Sequence, residues 1–307
     1  MKTASFPFWI RLSATLLFFW ALAPSSPFNI SWVQSILILA PLVLVPLAWT
    51  LMSDAHKLSN ALLFGGLAFG ISYILPLGFL AGGFALVWLL CTLLLAWDQV
   101  NSYRHKKEEN SKSFASLAAF LYLPIGATWA LADRLGMHPM GFQSTIVLLT
   151  AVHFHYAGFL LLVAGHRIMA LVPNSYKLFW DLLLVLGVPL VALGITLSQW
   201  EGPAWIETSS ATVMAIGGLG VAVLHVLGSR QIRNTFVKWA WRIGAIFLSA
   251  GMCLALAYGW RPFFPLDFLS IPWMYAVHGT FNFLGVGILV TSWWFFDSSR
   301  QFISEAQ

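Results

Sequence analysis

Five histidines in this 307-residue sequence fall inside, or at the ends of, long apolar runs: His153, His155, His166, His225 and His278. An ionisable group in such a run is costly, so each is a candidate site residue. Imidazole donates and accepts hydrogen bonds and titrates near neutrality, which suits it to proton transfer, acid–base chemistry or metal binding. His278 and Asn282 are four apart and share one helix face. His153 and His155 lie roughly 200° apart around a helix, and can face one point only if that helix is distorted. Tyr156 adds a hydroxyl directly after His155, and Asp133 and Arg134 close the preceding apolar run. His153, His155, Tyr156, His278, Asn282, Asp133 and Arg134 therefore form the candidate substrate-binding or proton-relay set. The plainer alternative is that these side chains tie helices together by hydrogen bonds.

Other chemistry is sparse. The span histidines show no His-x-x-x-His or Glu-x-x-His spacing. No cofactor is predicted, and a haem or metal would need ligands from separate helices. The sequence has no phosphate loop, no Gly-x-Ser-x-Gly elbow and no Cys-x-x-Cys. Cys91 and Cys253 lie in apolar runs and read as small hydrophobes. Lys177 and Asp181 are spaced for an i,i+4 ion pair. With no carboxylate deep in a span, a pump driven by Asp or Glu is disfavoured.

The elements that must position these residues follow from composition. Hydrophobic residues make up 59% of the chain and charged residues 9%, against about 25% in soluble domains. A soluble enzyme, a disordered protein and a nucleic-acid binder are excluded. Ten segments approach the roughly 20 residues that cross a bilayer. They are Phe8–Ala23, Trp32–Met52, Leu58–Ile74, Leu77–Trp97, Phe114–Ala132, Ser144–Val163, Leu178–Ser198, Ala211–Leu227, Ala240–Tyr258 and Trp273–Phe296. Pro76 should separate the third and fourth. The first resembles a signal peptide ending Ala21-Leu22-Ala23, but Pro24 argues for its retention as a helix. The fold expected is an all-α polytopic membrane bundle, one domain over residues 1–307. A five-plus-five arrangement, 1–143 and 144–307, is permitted by topology.

Alternating the spans from a cytoplasmic N-terminus places fourteen of the sixteen basic residues on one side, leaving Arg134 and Arg261 on the other. This asymmetry predicts that both termini are cytoplasmic and explains the net charge of +5. On this topology His153 and His155 lie near mid-membrane, His278 in the outer third and Asn282 near the midplane. Asp133 and Arg134 would cap the same outer cavity. Trp32, Trp97, Trp260, Trp273, Trp293 and Trp294 are expected as interfacial anchors, and Gly66 and Gly70 as a close-packing face.

The run Thr150-Ala-Val-His153-Phe-His155-Tyr156-Ala-Gly158-Phe159 resembles the YndJ-like family of bacterial polytopic membrane proteins. So do Ala132-Asp133-Arg134-Leu135-Gly136 and His278-Gly279-Thr-Phe-Asn282-Phe-Leu-Gly285. The resemblance implies a multispanning protein of the bacterial inner membrane, in a family commonly labelled as transporters, and supports His153, His155, His278 and Asn282 as site residues.

Two functions fit. A carrier of a small apolar or weakly polar solute would use the His/Asn set as a midplane site reached alternately from each face. An intramembrane enzyme would use histidine as acid or base on a lipid-soluble, isoprenoid-, sterol- or quinone-like substrate. A haem or metal membrane protein is a lesser alternative. Membrane lipid and a small molecule are the expected partners, and nucleic acid is not.

Overall fold

The computed structural model describes residues 26–52, 58–105, 114–172 and 176–305. Nine main helices occur among them, with no strand. They are α1 Ile30–Met52, α2 Ser59–Ile74, α3 Phe79–His105, α4 Phe114–Arg134, α5 Ser144–Leu171, α6 Lys177–Gln199, α7 Ala204–Gly228, α8 Thr235–Gly259 and α9 Ile271–Asp297. Eight are long and apolar enough to cross a membrane, and α2 is shorter. The chain is an all-α, multi-pass membrane bundle. The expected first span, Phe8–Ala23, lies outside the described residues.

The break at Pro76 is present: Leu75 is extended and the chain turns through Gly78 at φ 142°. Several helices outrun their apolar windows. α3 continues to His105, α5 to Leu171, and α7 and α8 begin at Ala204 and Thr235. Polar residues at a span end can continue a helix into the interface, so hydropathy alone places such ends short. Asn234 caps α8, its side-chain oxygen accepting from the N–H groups of Phe236 and Val237.

Consecutive helices run antiparallel. Arg104, Arg167, Lys177, Arg230, Arg233, Lys238, Arg242 and Arg300 lie toward one end of the bundle. Arg134 and Arg261 lie at the other, and both are held by acids. Arg261 Nη1 donates to Glu207 Oε1 at 2.7 Å while its guanidinium stacks on Tyr258.

The centre is built from α1, α5 and α9, which run parallel. Their ties follow in chain order. At one end the Tyr275 hydroxyl donates to the Phe28 carbonyl and Trp32 Nε1 to Thr280 Oγ1, both at 2.8 Å. Near the middle the Tyr156 hydroxyl donates to the Ile36 carbonyl. At the far end Arg167 Nη2 donates to Asp297 Oδ1 at 2.6 Å. Each of these helices contains a π-helical segment: Ala40–Leu44, Phe154–Leu160 and Met274–His278. Pro41 lies in the first, where its missing N–H loosens the i→i−4 ladder, and Pro272 lies in the first turn of α9, where no such bond is lost. The second contains no proline. Gly66 packs on the first, since a Cβ there would lie 2.7 Å from the Pro41 carbonyl oxygen; this is the close approach expected of the Gly66–Gly70 face.

Candidate functional site

The π segments alter the direction of the residues they carry. At the start of Phe154–Leu160, the Phe154 N–H is shared between the Ala151 and Thr150 carbonyls. The helix is thus distorted where His153 and His155 require it, yet the two rings diverge. His153 turns toward α9, where its ring lies 6.4 Å from that of His278, the planes at 27°. His155 turns toward α3 and accepts from Trp88 Nε1 at 3.0 Å. Gly126 of α4 makes room for it: a Cβ there would lie 2.8 Å from His155 Nδ1.

His278 reaches across to α8, its Nδ1 2.8 Å from the Gly251 carbonyl oxygen. Asn282 lies one turn along α9 with its amide nitrogen 3.0 Å from His278 Nε2. That nitrogen is also 3.2 Å from Nδ1, so it sits across the ring rather than along one lone pair. The Asn282 oxygen is buried against Gly251 without a hydrogen-bond partner. His153 Nδ1 lies 2.9 Å from the Leu149 carbonyl oxygen one turn back in its own helix. His153 and His278 are half-buried, whereas His155 and His225 are completely buried. His153 is the tenth residue of α5, about 14 Å along it, close to the middle of a roughly 30 Å hydrocarbon core. Trp32, Phe283 and Tyr156 form an aromatic wall between α1, α5 and α9, with Phe283 edge-on to the other two.

A carbonyl oxygen only accepts, so each Nδ1 that faces one carries the proton and, in the uncharged ring, leaves Nε2 as the acceptor. His155 and His225 satisfy that acceptor, whereas at His278 the Asn282 nitrogen lies over the ring beside both nitrogens. His225 repeats the His155 arrangement, with Nδ1 on the Val221 carbonyl and Nε2 accepting from Trp293 Nε1 at 3.0 Å. His155 and His225 are therefore helix ties with no polar capacity left over.

The remaining candidates separate from the imidazole pair. Tyr156 spends its hydroxyl on the Ile36 carbonyl. The Tyr73 hydroxyl donates to Asp133 Oδ2 at 3.1 Å, and Arg134 lies 3.7 Å from the same oxygen. The Arg134 guanidinium covers the Tyr73 ring, and its carbonyl accepts from Gly78 N–H. These partners belong to α2 and the α2–α3 turn, so Asp133 and Arg134 lock α4 to that turn. The structure does not bring them to His153 or His278 as a cap. Lys177 and Asp181 are not within ion-pair distance, and Asp181 Oδ1 is buried without a hydrogen-bond partner. Among the described residues no three His, Cys, Asp or Glu side chains converge to hold a metal ion.

Sequence reasoning missed the partners. Trp88 carries an N–H in the middle of a span rather than at its end, and that depth is the available signal. Trp293 is 1% exposed and bonded to His225, and Trp294 is 8% exposed, so neither is the interfacial anchor its position near a span end indicated. Trp97, Trp260 and Trp273 are exposed as anchors should be. Gly251 bears no polar side chain at all, and its role appears only in three dimensions.

The family described as YndJ-like protein matches residues 35–286, a stretch that holds all seven candidate residues. The chain belongs to the YndJ-like family. It is 26% identical over 227 residues to the "Uncharacterized membrane protein YndJ" of Bacillus subtilis (strain 168), covering 73% of this chain. The chain spans about 40% of that relative's length. No solved structure matches. Family membership thus agrees with a membrane protein and leaves the chemistry to the residues.

Proposed function

We propose that this chain is a carrier of a small apolar or weakly polar solute in a bacterial inner membrane, with His153, His278 and Asn282 as its binding site. The observation that carries this reading is the pairing of His153 with His278, about 14 Å and about 10 Å along two parallel helices that both depart from regular α-helix at that level. A π segment has a looser ladder, and such segments recur at functional sites. Helices interrupted near a midplane site are also the usual architecture of carriers. Histidine supplies polarity without a fixed charge, which suits a weakly polar cargo.

The test is access. In a chain with Cys91→Ala and Cys253→Ser, Ala157→Cys places a thiol one turn from His153. In proteoliposomes of known orientation, a carrier site reacts with a membrane-impermeant methanethiosulfonate applied to either face in turn. Labelling only by lipid-soluble N-ethylmaleimide would overturn the carrier reading and favour an enzyme pocket open to the bilayer.

A further inference from the structure

Four span histidines obey one rule in this fold. His153, His155, His225 and His278 each place Nδ1 on a backbone carbonyl, at 2.8–2.9 Å. Each therefore offers Nε2 as an acceptor when uncharged. Two receive a donor from the protein, Trp88 for His155 and Trp293 for His225, and the Asn282 amide covers the His278 ring 3.0 Å from its Nε2. His153 has neither. Among the described residues no group lies within hydrogen-bond reach of its Nε2, and that nitrogen is not among the sealed buried atoms. It is an unsatisfied acceptor about 14 Å along an apolar helix, among side chains that offer it no donor.

We propose that the site takes a small, largely apolar molecule bearing a hydroxyl or neutral N–H, whose hydrogen is donated to Nε2 of His153. This rests on the carrier reading of the same site and adds the class of cargo. The surroundings exclude other classes. An anion needs donors or a cation, and Arg134 and Arg167 are committed to Asp133 and Asp297. A permanent cation needs a carboxylate, and among the described residues none pairs with His153 or His278. The His278 ring lies 6.4 Å from that of His153, with the Asn282 amide beside it. At His278 the Asn282 amide already lies 3.0 Å from Nε2, so His153 offers the more open acceptor.

The experiment uses the full chain in nanodiscs with ring-15N histidine, titrated with phenol and with anisole. The two have similar shape, but only phenol donates. Phenol is expected to shift the His153 Nε2 resonance saturably, and anisole to require about tenfold more, the equivalent of one neutral hydrogen bond. The resonance is assigned by its loss in His153→Gln, and independently by elimination: Trp88→Phe and Trp293→Phe move only the signals of His155 and His225. Those two signals also report that the fold is intact. His153→Gln, which can present an amide oxygen near the former Nε2 position, should retain the phenol preference in equilibrium binding, and His153→Leu should lose it. Equal responses to phenol and anisole overturn the proposal. So does an Nε2 shift already displaced by hydrogen bonding and unmoved by either probe, which would mean water alone fills the space. A thiol at position 157 labelled from both faces, with no phenol preference, refutes the donor requirement and leaves the carrier reading standing. A phenol preference with labelling only from lipid does the reverse.

Discussion

Trp88 Nε1 donates to His155 Nε2 at 3.0 Å, with both residues completely buried, and the indole and imidazole planes lie 19° apart. Trp293 and His225 repeat the hydrogen bond at another helix contact. In both pairs a buried imidazole is a helix tie, with Nδ1 on a backbone carbonyl and Nε2 on a tryptophan N–H. Trp88→Phe should lower stability by about 1–2 kcal/mol, because a buried acceptor is left unpaired. The double variant Trp88→Phe/His155→Leu should cost less than the two singles summed, with a coupling of about 0.6–1.7 kcal/mol. Denaturant unfolding in mixed micelles measures both. Strict additivity would show that the pair is not a tie.

Gly251→Ala tests the support of the imidazole pair. A Cβ at that position overlaps the Asn282 amide, so Asn282 must move and release His278. The expected result is a changed labelling rate at Ala157→Cys and a loss of about 1–3 kcal/mol. Gly83→Ala is the control, since its Cβ meets nothing within 4 Å. It should leave labelling unchanged. Similar effects from both variants would remove Gly251 from the site.

Arg167 and Asp297 join the ends of α5 and α9, and Arg167 Nη1 also points at the Leu51 carbonyl of α1, at 3.4 Å. Arg167→Lys keeps the charge but loses the second nitrogen, so it cannot hold Asp297 as Nη2 does and reach the Leu51 carbonyl as Nη1 does at once. It should lower stability by about 1 kcal/mol, and added salt should weaken the wild-type pair only modestly, because it is partly buried. Thermal unfolding at two salt concentrations checks this. Equal stability of Lys and Arg forms would show that charge alone holds the three ends.

Tyr73→Phe removes the hydroxyl that donates to Asp133 while preserving the ring beneath Arg134. Asp133 would then face Arg134 alone across 3.7 Å. The expected cost is about 1–3 kcal/mol in unfolding experiments. Labelling at Ala157→Cys should not change, because this cluster locks the α2–α3 turn and does not line the imidazole pair. A large change in labelling would return Asp133 and Arg134 to the site.

The amino-acid sequence by itself determined the class of protein, the approximate position of the nine spans among the described residues, the break at Pro76 and the gathering of basic residues toward one end. These depend on local composition and length, because a bilayer imposes one requirement on every crossing segment. It also singled out His153, His278 and Asn282, since polar residues are conspicuous in an apolar run. Only the tertiary structure decided which of them meet. The rotational phase of a helix depends on every residue before the point of interest, and three π segments shift that phase in α1, α5 and α9. A shift of this kind leaves hydropathy unchanged, yet it bears on the directions of His155 and His278, which lie inside π segments, while His153 ends the regular α stretch just before one. The burial of Trp293, the local commitment of Asp133 and Arg134, and the service of Gly251 are likewise set by facing helices remote in the chain, whose identity no window of sequence contains.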